Sequence, residues 1–235
     1  MNAPRRLLFI LDLNGTLLHR LTKSWEVRLA HEHCDYRDAD CTVNGNQIFF
    51  RPERRQFLAK LFELGEVAVW TSALPKNAVP MVLRTFGGLL DAGKLRMLSP
   101  SIEAAMKNHL ATAQEVGTGP NILQFLWTQE ECQVIRSTDD VKPKFKKDLE
   151  KVWKAFPAYS EETTIMIDDS ADKLSAHMDN LLQLPEYVVT DPNVDFANDK
   201  VLVELTSFVQ KLTAHGADVR DYIKMNPYMQ RTRQQ

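Results

Sequence analysis

The apolar run Leu7-Leu8-Phe9-Ile10-Leu11 stops abruptly at Asp12, with Asn14 two places on and then Gly15. Such a run is long enough for a buried strand. Asp12 would then sit at the strand's carboxyl end, where open α/β sheets place their crevice. A carboxylate at that point can bind Mg²⁺ through one oxygen and attack phosphorus with the other. The same residues also fit a buried strand leading into an ordinary loop. The rest of the chain has to decide.

Strand and helix patterns alternate along it. Residues 20–47 read as an irregular or β-rich excursion, ending in the extended run Ile48-Phe49-Phe50. Pro52 suits the first turn of a helix whose apolar stripe is Phe57, Leu58, Leu61, Phe62 and Leu64. Gly65 follows where a helix wants a left-handed residue. Residues 66–72 form a second strand ending in the hydroxyls of Thr71 and Ser72, and a helix from Lys76 to Phe86 comes next. The glycine- and proline-rich stretch 87–121 reads as an insertion with a helix over 102–116. Residues 122–127 fit a short strand or a helix. Phe145, Leu149, Val152, Trp153 and Phe156 predict an amphipathic helix over 145–156. A third strand, 163–170, runs into Asp168, Asp169 and Ser170, and a last helix covers 200–213. Three strands ending in polar groups predict a parallel sheet with helices on both faces and one shared crevice.

Composition narrows the field. The 235 residues suit one domain, residues 1–225, with insertions at about 20–47 and 87–121 and a flexible tail over 226–235. A net charge of −2 argues against a protein that coats nucleic acid or an anionic membrane. Three cysteines, Cys34, Cys41 and Cys132, lack disulfide-framework spacing and suggest a reducing compartment. The basic start followed by five apolar residues looks like a signal peptide, but Asp12 cuts its apolar core too short. The expectation is an intracellular protein, nuclear or cytoplasmic.

Five pieces then fall in a telling order: Asp12-Leu13-Asn14-Gly15-Thr16-Leu17, Arg51-Pro52, Trp70-Thr71-Ser72-Ala73, Lys147-Asp148-Leu149 and Ile167-Asp168-Asp169-Ser170. In order and rough spacing the chain resembles the haloacid-dehalogenase superfamily over most of residues 7–214. Within it, the resemblance is to the branch of small carboxy-terminal-domain phosphatases, of the FCP1 and NLI-interacting-factor type. That resemblance implies a Rossmann-like parallel sheet with small insertions over the cleft. It also implies a Mg²⁺-dependent phosphatase acting on phosphoserine or phosphothreonine of a protein partner. Asp12 would be the nucleophile. Thr71, with Ser72 beside it, would bind a phosphoryl oxygen. Lys147 would neutralise the transferring group, although Lys142, Lys144 and Lys146 lie close enough to compete for that role. Asp12, Asp168, Asp169 and the backbone carbonyl of Asn14 would hold the metal, with Asp169 favoured over Asp168 for direct contact. Oxygen donors of this kind suit Mg²⁺. Taken structurally, Thr71 could instead cap the next turn, and Asp168 and Asp169 could be helix N-caps.

Residue 14 departs from the pattern. Phosphatases of this type carry a second aspartate there, which protonates the leaving group and then activates water. Asn14 can do neither. A positioned acid or base contributes about 10²–10⁴-fold, so its loss slows catalysis without abolishing it. Two outcomes stay open: a slow phosphatase, or a pseudophosphatase that binds a phosphorylated or acidic segment without turnover. A scaffold that uses only the surface of the fold would have no need of the retained metal-phosphate residues.

Other residues carry less. His31, His33, Cys34 and Cys41, near Asp35, Asp38 and Asp40, offer zinc ligands but at poor spacing. His19, just past the Asp12 turn, could stand in as an acid. His109 and His177 show no partner pattern. Trp70, Trp127 and Trp153 read as core, and no basic neighbour in sequence activates Cys132.

Overall fold

The structure, a computed structural model, describes residues 6–33, 38–95, 99–110, 118–135, 143–193 and 195–228. Strand β1 (Leu8–Leu11) is buried along its whole length. The turn after it leads into β2 (Leu18–Leu21), α1 (Ser24–His33), β3 (Cys41–Val43) and β4 (Asn46–Phe50). These three later strands make a separate antiparallel sheet in the order β2-β4-β3. The expected excursion over 20–47 therefore contains a helix as well as strands. α1 buries only Ala30, so no apolar stripe announces it. Its start is fixed instead by Glu26, whose Oε2 accepts the N–H groups of Thr22 and Lys23, both at 2.8 Å.

Helix α2 (Arg54–Leu64) turns Phe57, Leu58 and Leu61 inward, as the stripe requires. Gly65 does not adopt the expected left-handed conformation; at φ −177° it is extended. What it supplies is space, because a Cβ there would lie 2.5 Å from the Leu7 carbonyl oxygen. β5 (Glu66–Trp70) and α3 (Pro75–Phe86) follow, with proline in the first turn of the helix. The next segment holds α4 (Ala92–Leu95) and α5 (Pro100–Leu110). Residues 111–117 of the expected helix lie outside the described residues. β6 (Leu126–Trp127) settles the ambiguous stretch as strand.

β7 (Gln133–Ile135) and β8 (Lys144–Lys146) pair as an antiparallel hairpin. The helix expected over 145–156 is accordingly shorter: α6 (Leu149–Ala155). Asp148 caps it by accepting the Glu150 N–H at 3.1 Å, which leaves Phe145 in the strand. β9 (Thr164–Asp168), β10 (Leu181–Gln183), α7 (Val201–His215) and α8 (Val219–Met225) complete the chain. Tyr228, which falls in the expected tail, is buried and donates its hydroxyl to the Val201 carbonyl at 2.9 Å. Residues 229–235 of that tail lie outside the described residues.

The main sheet is parallel throughout, in the order β10-β9-β1-β5-β6. Alternation along β1 splits the core in two. Phe9 and Leu11 face α2, α3 and α7 through residues such as Phe57, Val82 and Leu205. Leu8 and Ile10 face α6 through Leu149 and Val152, with Trp70 and Met166 beside them. Helices thus cover both faces, as parallel sheets require. The chain moves outward from β1 first to β5 and β6 and then, on the other side, to β9 and β10. The switch point lies between β1 and β9, where such sheets open a crevice. No helix among the described residues is long and apolar enough to cross a membrane.

Candidate functional site

Register places the acids. Leu11 pairs with Ile167, and the Asp12 N–H donates to the Ile167 carbonyl at 3.0 Å. Asp12 and Asp168 therefore leave the ends of adjacent strands together, both buried. Asp168 is oriented by the Ser170 N–H, which donates to its Oδ1 at 2.9 Å. Asp169 reaches back under the turn after β1. There Thr16 Oγ1 donates to Asp169 Oδ1 at 3.1 Å and accepts the Asp169 N–H at 3.2 Å. Gly15, at φ +86°, is needed for this approach, since a Cβ would lie 2.7 Å from the Asp169 carboxyl carbon. Oxygens of Asp12, Asp168 and Asp169 lie within 4.8 Å of one another.

Two ammonium groups enter the cluster. Lys147, the residue just before the α6 cap, is buried, with Nζ 2.6 Å from Asp168 Oδ2 and 3.2 Å from Asp12 Oδ1. Among the competing lysines, Lys144 is exposed and Lys146 donates to Ser175 Oγ, while Lys142 lies outside the described residues. Lys173 was not expected from sequence. Its Nζ lies 2.8 Å from Asp12 Oδ2, 3.2 Å from Asp168 Oδ1 and 3.9 Å from Asp169 Oδ1. The 3₁₀ turn Ala171–Leu174 folds it back over the acids, and its carbonyl accepts the Lys147 N–H at 2.7 Å. Its place four residues after Asp169 was the signal available in the sequence.

The charges act on one another. Burial works to raise the pKa of Asp12, but Lys147 and Lys173 overcome it and bring the carboxyl down to about 2. Burial raises Asp169 to about 7 against the pull of Lys173, with Asp12 and Asp168 adding to the rise. Burial opposes the charge on Lys173, yet the surrounding carboxylates raise its pKa above the ordinary lysine value. Asp12 Oδ1 is buried without a hydrogen bond, despite the nearby Lys147 charge.

Thr71 is buried one residue past β5, its N–H donating to Trp127 and its Oγ1 accepting the Ala73 N–H at 3.3 Å. It does cap the next turn, and its own hydroxyl proton stays available to an anion. Ser72 is half-buried beside it. Asn14 is exposed, and its Oδ1 accepts the Arg20 N–H at 2.8 Å.

The secondary candidates fare differently. His19 accepts the Val189 N–H at Nδ1 (3.0 Å), and burial lowers its pKa, against the weaker pull of Glu26. It is a structural acceptor, not a surface acid. His177 has a partner after all: Nε2 lies 2.8 Å from Asp148 Oδ1, and its ring meets Trp153 edge-on. Trp70 is fully buried, and Trp127 and Trp153 are partly so. Burial pushes the Cys132 thiol up, outweighing the lowering effect of Lys147. Of the zinc candidates, Cys34 and Asp35 lie outside the described residues. His31 and His33 fall in α1 and Cys41 in β3.

The model of NLI interacting factor-like phosphatases matches residues 7–85 and 106–220. Among solved structures the chain is similar to Fcp1, an essential RNA polymerase II CTD phosphatase, at 16% identity and TM-score 0.45, over 94% of this chain and 53% of that one. It is also similar to an arginine-to-alanine variant of fission yeast Fcp1 bound to beryllium fluoride, at 17% identity and TM-score 0.45, over 94% and 54%. The chain thus spans about half the length of either structure. No curated relative matches the sequence significantly. With the family model covering both the Asp12 strand and the late acid pair, the chain belongs to the NLI interacting factor-like phosphatase family.

Proposed function

We propose that this chain is a phosphoprotein phosphatase of the aspartyl-phosphate type, acting slowly on phosphoserine or phosphothreonine in a protein partner. The observation that carries this reading is the state of Asp12. It is buried and held ionised at the sheet's switch point, with one oxygen free of hydrogen bonds. That oxygen is the nucleophile. It attacks phosphorus as the bond from phosphorus to the seryl or threonyl oxygen breaks, with Lys147 and the Thr71 hydroxyl steadying the phosphoryl oxygens. Water then cleaves the phosphoenzyme.

The donor set at the cluster is carboxylate oxygen alone, which suits a hard cation such as Mg²⁺. Asp12 and Asp169 would hold it, with Asp168 and the backbone carbonyl of Asn14 in support, and a bound ion would neutralise phosphoryl charge. A protein substrate is favoured by the surface beside the lysines. There, a cavity of about 230 Å³ lined by Gln133, Ile135 and Lys146 reaches Lys147 and Lys173. Val134 and Ile135 are exposed on the same strand.

The departing oxygen must take its proton from solvent, because the amide of Asn14 carries none to give. The commitment of the Asn14 side chain to the Arg20 N–H supports the second reading, binding without turnover. One comparison separates the two. Asn14→Asp should raise hydrolysis of a phosphoserine peptide by about 10²–10⁴-fold, while phosphoenzyme formation from an activated aryl phosphate, whose leaving group needs little protonation, changes far less. If Asn14→Asp leaves peptide hydrolysis unchanged, general-acid loss does not explain the slowness. If neither protein hydrolyses either ester, the binding-only reading holds.

A further inference from the structure

We infer that Lys173 stands where a divalent cation would sit, so that metal binding and the Lys173 ion pairs exclude each other. The inference rests on the reading of Asp12, Asp168 and Asp169 as a cation site. Among the described residues, those three carboxylates bring their oxygens within 4.8 Å of one another, and the Lys173 ammonium lies within 4 Å of an oxygen from each. Its shortest contact is to Asp12 Oδ2, the oxygen left over once Oδ1 is reserved for attack.

The position is built into the fold. The turn Ala171–Leu174 begins one residue past the late acids, after Ser170, and the Lys173 carbonyl is pinned by the Lys147 N–H at 2.7 Å. The side chain is only 20% exposed. A Mg²⁺ ion needs its carboxylate oxygens at about 2.0–2.1 Å. An ammonium on the same oxygens would be a like charge almost in contact with it. One cation must leave for the other to enter. Lys173 has a way out, along the cavity it lines with Lys146, Ser175 and Ala176.

The charge pattern fits this substitution. Two lysines face three carboxylates, and residue 14 brings an amide where the family pattern has an acid. The two ammonium groups thus offset two of the three carboxylate charges. An ion would have to displace a charge-assisted pair that already occupies the carboxylate oxygens.

The test is a titration of the full chain with Mn²⁺, followed by the paramagnetic signal of the free ion, for wild type, Lys173→Met and Lys173→Arg. Lys173→Met should bind the ion about ten- to a hundredfold more tightly than wild type, and Lys173→Arg should stay near wild type. As a second readout, Mg²⁺ should raise the melting temperature of Lys173→Met more than that of wild type. Equal affinities for wild type and Lys173→Met would overturn the inference, as would absence of binding in both. The phosphatase reading fails separately: if wild type forms no phosphoenzyme while Lys173→Met still binds the ion more tightly, only that reading is lost.

Discussion

At the scale of single residues, His19 shows what a specific contact beside the Asp12 turn costs. Its Nδ1 must stay unprotonated to accept the Val189 N–H. Burial accordingly holds its folded pKa below the ordinary 6.5. Between the two values only the unfolded chain binds the proton, so stability falls as pH drops below about 6.5. At higher pH this contribution is fully retained. His19→Gln keeps an acceptor that does not titrate. Melting curves at about pH 7.5 and pH 5 should show a larger loss for wild type than for His19→Gln. Equal losses would place the acid sensitivity elsewhere. The convergence of Asp12, Asp168 and Asp169 was legible from the strand ends, and Lys147 was pointed to by the family motif alone. Lys173 was signalled by nothing more than its spacing from Asp169, because the turn that folds it over the acids is seen only in the folded backbone.

At the scale of elements, the segment that carries Lys147 matters most. It runs as strand β8 into the Asp148 cap and then α6, so the lysine sits at a junction between two kinds of structure. The sequence concealed this. Phe145 falls on the same helical stripe as Leu149 and Val152, and β7 is exposed throughout, without the inside-outside alternation that marks a half-buried strand. The α1 helix was hidden for the opposite reason, having almost no buried face to give it a period. The central strands were legible because burial on both faces demands unbroken apolar runs. Asp148 has two tasks, capping α6 and pairing with His177. Asp148→Ala should cost about 0.5–2 kcal/mol in a denaturant titration, and the freed helix start should also loosen Lys147. An unchanged midpoint would show that the cap contributes little.

At the scale of the whole molecule, Arg51 joins the Asp12 turn to the far end of the chain. Its guanidinium is buried, pairs with Asp199 at 2.9 and 3.0 Å, and donates to the Thr16 carbonyl at 3.1 Å. Asp199 also accepts the Val201 N–H at the start of α7. The Tyr187 ring lies against the same guanidinium, and the Tyr187 N–H donates to the Gly15 carbonyl at 2.7 Å. The turn that shapes the site is therefore held from far along the chain, directly by Tyr187 and through Arg51 by Asp199. The Arg51-Pro52 pair was visible as a motif, but its partner Asp199 was not, since nothing in the sequence links them. Arg51→Met should lower stability by about 3–5 kcal/mol by leaving Asp199 charged, buried and unpaired. Adding Asp199→Asn should recover part of the loss. A cost below about 1 kcal/mol would mean that the pair behaves like an exposed one.

The claim beneath all three scales is that Asp12 becomes covalently phosphorylated. The direct measurement is rapid acid quench of the protein with an aryl phosphate, followed by peptide mass mapping. The account predicts a phosphoryl group on the peptide containing Asp12. It also predicts that the group accumulates because Asn14 cannot activate water, and that it is absent from Asp12→Asn. Phosphate release that survives Asp12→Asn, or a phosphoryl group found on any other peptide, would contradict it.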